Sequence, residues 1–246
     1  MTVRLARPAS RDGLFVWVMH RFAEVFEDHA VVKGGMALRL VDSPRLTNDI
    51  DYVFVPFSSK KQIVARLRAV LDEIEGAEVV LEVHSKMLRA EFRVDQAAIQ
   101  IEANVATECE SEAMATGGLA RSVAQPSRIV RILSPAHALA HKLAAWNERR
   151  LGRDLYDIYF LLARAGAKPA LAVLDARLAK VESRLPALRR RRRMSRSQLG
   201  AELLAAVESL TERDLRRELE GVLPPEELAG LALRIRAAVL RLLEGL

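Results

Sequence analysis

Apolar residues fall at helical spacing almost from the start of the chain. Leu14, Val18, Phe22, Val25 and Phe26 share one face, with Arg21, Glu24 and Glu27 between them, and this predicts an opening helix. The short apolar run Ala30-Val31-Val32 stops at Lys33-Gly34-Gly35. Met36–Leu40 is again of helical type, and Ser43-Pro44-Arg45 breaks it. Asp49–Val55 alternates polar and β-forming apolar residues, so it reads as a strand that ends at Pro56. Ser58 or Ser59 is placed to cap a helix running from Lys60 to about Glu75. Three further strands are expected over Glu78–His84, Met87–Val94 and Ala98–Val105, with turns at Gly76 and Asp95-Gln96. A looser stretch covers Glu108–Ser127, and Arg128–Leu133 is a last short strand.

Beyond Leu133 the pattern is helical throughout. Ser134-Pro135 supplies a cap residue followed by proline at the first helical position, and Leu139, Lys142, Leu143 and Trp146 follow on that helix. Gly152 interrupts it. A second helix runs from Asp154 to Ala165 and closes at Gly166, and further helices are expected over about 169–183, 197–209, 212–221 and 226–244. The change of pattern divides the chain into an α/β domain, 1–133, and a helical domain, 134–246. The fold class is therefore α+β, a sheet flanked by helices and followed by an all-helical C-terminal half.

Composition narrows the class without choosing a function. The 246 residues are 50% hydrophobic and 28% charged, which excludes a disordered tail or a fibrous repeat. The single cysteine, Cys109, excludes an internal disulfide framework and a cysteine-built metal site, and it fits a cytoplasmic location. No stretch approaches the ~18 apolar residues of a membrane span. The net charge is +6, and 31 of the 38 basic residues are arginine, which suits a polyanionic partner and equally a G+C-rich genome. Arg189–Arg193 is an unbroken arginine run. It reads either as a solvated turn or as a contact for a nucleic-acid backbone, and no interleaved aromatic residue offers base stacking there.

The chemistry concentrates near residue 50. In a strand, residues i and i+2 share a face, so Asp49 and Asp51 point the same way. Adjacent carboxylates repel unless a cation lies between them, and hard oxygen donors suit Mg²⁺ or Mn²⁺. The Lys33-Gly34-Gly35 turn opening a helix exposes backbone N–H groups suited to phosphate. A phosphate cradle beside an acidic metal site is the minimum for metal-assisted phosphoryl or nucleotidyl transfer. Glu102 lies on the polar face of its own strand and is the candidate third carboxylate, with Glu82 and Glu91 as rivals. His137 and His141 stand one helical turn apart but lack the carboxylate or cysteine partners of a zinc site.

Lys33-Gly34-Gly35-Met36-Ala37-Leu38-Arg39-Leu40, followed by Thr47-Asn48-Asp49-Ile50-Asp51, resembles the AbiEii-type nucleotidyltransferases. These are toxins of toxin–antitoxin and phage-abortive-infection systems. The resemblance continues through His141-Lys142-Leu143-Ala144-Ala145 and Arg149–Tyr159, covering roughly residues 30–165. It implies a DNA-polymerase-β-like nucleotidyltransferase fold and an NTP as substrate. Asp49 and Asp51 would bind the metals, Gly34 and Gly35 with Lys33 would hold the triphosphate, and Lys142 would contact nucleotide phosphates. Asp154 or Asp157 would complete the site. On the residues alone, Lys142 is equally a lysine snorkelling to water, and Asp154 equally a helix cap. Members of the family transfer nucleotides to RNA, in some cases the acceptor end of tRNA, and a cognate antitoxin protein neutralises them. The chain departs from the family at Met36, where Thr or Ser is usual. Transfer to a small molecule or a protein, and a degenerate site that only binds a nucleotide or the antitoxin, are the alternative readings.

Overall fold

The computed structural model describes residues 6–183, 185–186 and 192–246. Of the Arg189–Arg193 run, residues 189–191 lie outside the described residues. The chain forms two compact units. The first comprises the described residues up to Asp42 together with Thr47–Leu133, and the second comprises Ser43–Leu46 and Ser134–Leu246. The short segment Ser43–Leu46 thus leaves the first unit between two of its elements.

The first unit is built on a sheet. In chain order it contains α1 (Arg11–Phe26), β1 (Ala30–Lys33), α2 (Gly34–Leu40), β2 (Asp49–Phe54), α3 (Lys61–Leu71), β3 (Glu78–Val83), β4 (Leu88–Val94), β5 (Ala97–Val105), β6 (Ser111–Ala115), α4 (Gly117–Ser122) and β7 (Ile129–Leu133). The sheet has seven strands in the order β3-β4-β5-β2-β1-β7-β6. β2 pairs parallel with β5 and antiparallel with β1, while β1 pairs parallel with β7. The strands alternate as their sequences predict. Ile50, Tyr52 and Phe54 of β2 and Ala97, Ile99, Ile101 and Ala103 of β5 are buried, and they join Leu14, Phe15, Val18, Phe22 and Phe26 of α1 in one apolar core. The opposite face of these strands carries Asp49, Asp51, Gln100 and Glu102, all partly exposed.

Three local expectations are corrected. The stretch Glu108–Ser127 is not loose, since it contains β6 and α4. β6, Ser-Glu-Ala-Met-Ala, has no β-branched residue, and only its pairing with β7 makes it a strand. The cap position of α3 falls to Lys60, which makes no side-chain cap bond, while Ser59 Oγ still accepts from the Lys61 amide at 3.3 Å and Gln62 Oε1 reaches back to accept from both the Ser58 and Ser59 amides at 3.0 Å. The helix ends at Leu71, short of Glu75.

The second unit is all helical: α5 (Pro135–Arg149), α6 (Gly152–Ala163), α7 (Leu171–Leu178), α8 (Arg196–Ser209), α9 (Glu212–Leu219), α10 (Pro225–Leu228) and α11 (Leu231–Leu243). Ser134 caps α5 by accepting from the His137 amide, as its sequence predicts. Gly152 does not merely interrupt; it is the first residue of α6, and its amide donates to Glu218 Oε2 at 2.6 Å. The helix expected over 226–244 is two helices, because Gly230 adopts φ 65° between them.

Candidate active site

The acidic pair lies at the head of β2. Asp49 and Asp51 share its polar face, while Ile50 and Tyr52 between and beyond them are buried. Thr47 Oγ1 donates to Asp49 Oδ1 at 2.6 Å and so fixes that carboxylate. Asn48 is tied to the first turn of α1, its Oδ1 accepting from Arg11 Nη1 at 2.7 Å. Neither tether was read from the sequence: Thr47 is a local side-chain bond within three residues, whereas Arg11 reaches across 37 positions.

Lys33, Gly34 and Asp51 meet across β1 and β2. Lys33 is the register partner of Asp51, and its Nζ lies 3.3 Å from Asp51 Oδ1. Gly34 opens α2 with φ +68°, and a Cβ built on it would lie 2.0 Å from Asp51 Oδ2. The missing side chain of Gly34 therefore makes the space in which the Asp51 carboxylate sits. Gly34 and Gly35 are the first two residues of α2, so their N–H groups have no partner within that helix. Met36 is fully buried in the core. Its side chain packs inward and fills core volume.

Glu102 stands beside Asp51, its register partner on β5. Its Oε1 accepts from Arg89 Nη2 at 3.0 Å and from Gln100 Nε2 at 2.7 Å. Among the described residues, no group of three or more His, Cys, Asp and Glu side chains is gathered as metal ligands. Glu102 is thus not assembled with the pair on β2, and neither are its rivals: Glu82 pairs with His84, and Glu91 lies two strands from Asp49. Asp49 and Asp51 fit a hard divalent cation as two oxygen donors, because Oδ2 of each has no hydrogen-bond donor among the described residues. Mg²⁺ is commonly held by one or two carboxylates, with water and substrate phosphates completing its shell.

The helical unit holds the second set of sequence-predicted residues. Asp154 and Asp157 lie one turn apart on α6 and are buried, 1% and 0% exposed. Asp157 is gripped by Arg45, with Nε and Nη2 at 2.7 and 3.1 Å from its two oxygens, and by Lys142 Nζ at 2.5 Å. Asp154 receives Arg149 in the same two-pronged way, at 3.1 and 2.6 Å, with Lys142 Nζ at 3.9 Å. Burial by itself pushes the Asp157 carboxyl up, but the Lys142 ammonium and the Arg45 guanidinium outweigh it and hold the group below the usual carboxylate range. These five side chains carry three positive and two negative charges. Lys142 is the cation that both carboxylates share. Nothing local in the sequence marks Arg45, which lies 112 positions from its partner in the irregular Ser-Pro-Arg segment after α2.

A model of the family described as "Nucleotidyl transferase AbiEii toxin, Type IV TA system" matches residues 17–239. Among solved structures, the chain is similar to MenT4, a nucleotidyltransferase toxin from Mycobacterium tuberculosis H37Rv, with 19% identity and a TM-score of 0.64 over 96% of this chain and 83% of that one. It is also similar to JHP933 from Helicobacter pylori, with 14% identity and a TM-score of 0.55 over 96% of this chain and 91% of that one. No curated protein matches the sequence. The structural likenesses establish the fold: a mixed sheet flanked by helices and followed by a helical half.

Proposed function

This chain belongs to the AbiEii family of nucleotidyl transferase toxins, from type IV toxin–antitoxin systems, and we propose that it moves a nucleoside monophosphate from an NTP onto the 3′ hydroxyl of an RNA, tRNA being the first acceptor to try. The observation that carries this reading is the meeting of Asp49 and Asp51 on one strand face with Lys33 and Gly34 in register beside them. In the reaction a bond forms between the acceptor oxygen and the α-phosphorus. The bond from that phosphorus to the β-phosphate bridge breaks, pyrophosphate leaves, and the hydroxyl proton passes to solvent.

Asp49 and Asp51 are assigned to hold Mg²⁺ or Mn²⁺, which when bound lowers the pKa of the attacking hydroxyl and offsets charge on the leaving pyrophosphate. Thr47 keeps Asp49 turned to that task. The Gly34 and Gly35 amides and the Lys33 ammonium are assigned to the triphosphate. Lys33 Nζ lies 3.3 Å from Asp51 Oδ1 and is placed to exchange that carboxylate for a phosphate oxygen. Glu102 keeps Oε2 for a metal while Oε1 accepts from Arg89 and Gln100, and it is assigned as the third ligand beside the pair. Lys142 is assigned as a phosphate contact, as the family resemblance implies, and both acids of α6 hold its ammonium in place. Asp154 and Asp157 are read as positioning residues, buried and fully engaged in holding Lys142, Arg45 and Arg149.

Membership in a toxin–antitoxin family implies a cognate antitoxin. Among the described residues, no helix is long and apolar enough to cross a membrane, and we place the site of action in the cytoplasm with its RNA. The test is incubation of the purified protein with each α-labelled NTP and either total RNA or cell extract stripped of RNA. Label is expected in the RNA and absent with Asp51→Ala. Label appearing only in the stripped extract would replace RNA with a small-molecule or protein acceptor. Tight NTP binding without transfer to any acceptor would leave a binding module.

A further inference from the structure

The polar face of the sheet does not end at the acidic pair. A cavity of about 400 Å³ opens on it, bordered by Arg11, Asn48, Val80, Glu91, Arg93 and Gln100. The strand register ties this cavity to the site. Asp49 is partnered by Gln100 on β5, Gln100 by Glu91 on β4, and Glu91 by Val80 on β3. One continuous cross-strand row therefore runs from the first carboxylate into the cavity, at successive steps of ~4.8 Å.

The lining is chemically mixed. Arg11 and Arg93 bring two cations, and Glu78 and Glu91 bring two carboxylates. Asn48 and Gln100 bring amides, while Val80 presents apolar surface that is 56% exposed. These four charges cancel, which disfavours a site for phosphate alone. Donors, acceptors, guanidinium planes and an apolar floor together match a nucleoside, whose base has a hydrogen-bonding edge and a stackable face. Sheet order then separates two roles. β2 carries the acids, β1 and α2 carry Lys33 and the glycine amides on one side, and β5, β4 and β3 carry the cavity on the other. In-line transfer needs the attacking hydroxyl and the departing pyrophosphate on opposite sides of the reacting phosphorus.

We propose that this cavity is the acceptor subsite and takes the 3′-terminal nucleoside of the RNA, presenting its hydroxyl beside Asp49. The inference rests on the nucleotidyl-transfer reading above and adds where the acceptor binds. Arg93 and Glu91 recognise the base, Val80 supports its face, and Arg11 holds Asn48 at the cavity's edge next to Asp49.

The test uses Arg93→Ala and Glu91→Ala, both on exposed strand positions. Arg93 makes one ion pair, at 3.6 Å to Glu78. Thermal melting checks that each variant folds. The KM for an RNA with a single-stranded 3′ end is expected to rise about tenfold, a typical cost of losing one base contact, with the KM for NTP unchanged. A fluorescein-labelled oligonucleotide ending in a 3′-deoxynucleotide should lose affinity by the same factor in anisotropy measurements without NTP. An increase confined to the KM for NTP would make the cavity the donor's base pocket and overturn the proposal, as would wild-type KM values for both substrates. If the wild-type protein transfers nothing yet binds the oligonucleotide through Arg93 and Glu91, the subsite stands and the transfer reading falls. If it neither transfers nor binds, both fall.

Discussion

The Asp51 carboxylate lies against the bare Cα of Gly34, where a methyl group would come within 2.0 Å of Oδ2. The contact joins the phosphate-side turn to the acidic strand across one register pair, and it explains why a glycine is needed there twice over. Gly34 has φ +68°, a conformation that costs other residues about 1–2 kcal/mol, and its missing side chain leaves room for Asp51. Gly34→Ala should therefore lower the melting temperature by several degrees and reduce transfer far more than that loss of stability explains. Wild-type turnover in the folded variant would show that Asp51 need not sit where it does.

Asp49→Asn and Asp51→Asn keep the shape of each side chain and remove its charge. Transfer is expected to fall at least ~10²-fold in each, the scale seen when charge stabilisation in a transition state is lost. Melting temperatures should stay near the wild-type value, since both positions are partly exposed. Chelation with EDTA should abolish transfer by the wild-type protein, and added Mg²⁺ or Mn²⁺ should restore it. Full activity in EDTA would remove the divalent cation from the scheme.

The buried cluster of the helical unit separates stability from chemistry. Asp157→Ala removes the buried carboxylate that Lys142 and Arg45 both engage, which should cost about 3–5 kcal/mol in urea unfolding. Lys142→Met leaves Asp157 with both of its Arg45 bonds, so its stability loss should be much smaller while its effect on transfer is larger. Equal melting losses in the two variants, or an unimpaired Lys142→Met enzyme, would contradict the roles assigned. Because the Asp157 carboxyl is held below its usual range, its stabilisation is complete above about pH 4 and is lost as pH falls through the lowered folded value.

His20 sets a second pH dependence of opposite origin. Its ring is buried, Nε2 is bonded to Thr116 Oγ1 at 2.8 Å, Nδ1 has no hydrogen-bond partner among the described residues, and burial pushes its pKa down to about 4. The unfolded chain binds this proton below about pH 6.5 and the folded chain only below about 4, so stability falls as the pH drops between those values. The slope from this one group is at most about 1.4 kcal/mol per pH unit. His20→Leu should flatten the curve and overtake the wild type near pH 5, because Thr116 keeps its bonds to the Arg128 backbone. Parallel stability curves for the two proteins between pH 7 and 5 would refute this.

Much of the molecule is legible in its sequence. The alternation of Asp49–Phe54 and Ala97–Val105 follows from one buried face and one open face, and it put the two aspartates together without tertiary information. The family resemblance rested on Lys33–Gly35, Asp49 and Asp51, Lys142 and the Arg149–Asp157 stretch, and the family match covers all of them. The helical half is equally readable, since a cap such as Ser134 is a local device.

What stayed hidden depends on partners distant along the chain. Strand β6 is a strand only because β7 supplies its hydrogen bonds. Alternation puts Glu102 on the polar face, but not the bond that its Oε1 accepts from Arg89 on the neighbouring strand. Asp157 was one of two indistinguishable acids until Arg45, 112 residues earlier, closed on it. Periodicity and turn chemistry record interactions within a few residues, so the sequence by itself determined the elements, their faces and the acidic pair. Which charge meets which counter-charge is decided by the register of strands and the packing of helices, and only the tertiary structure contains that information.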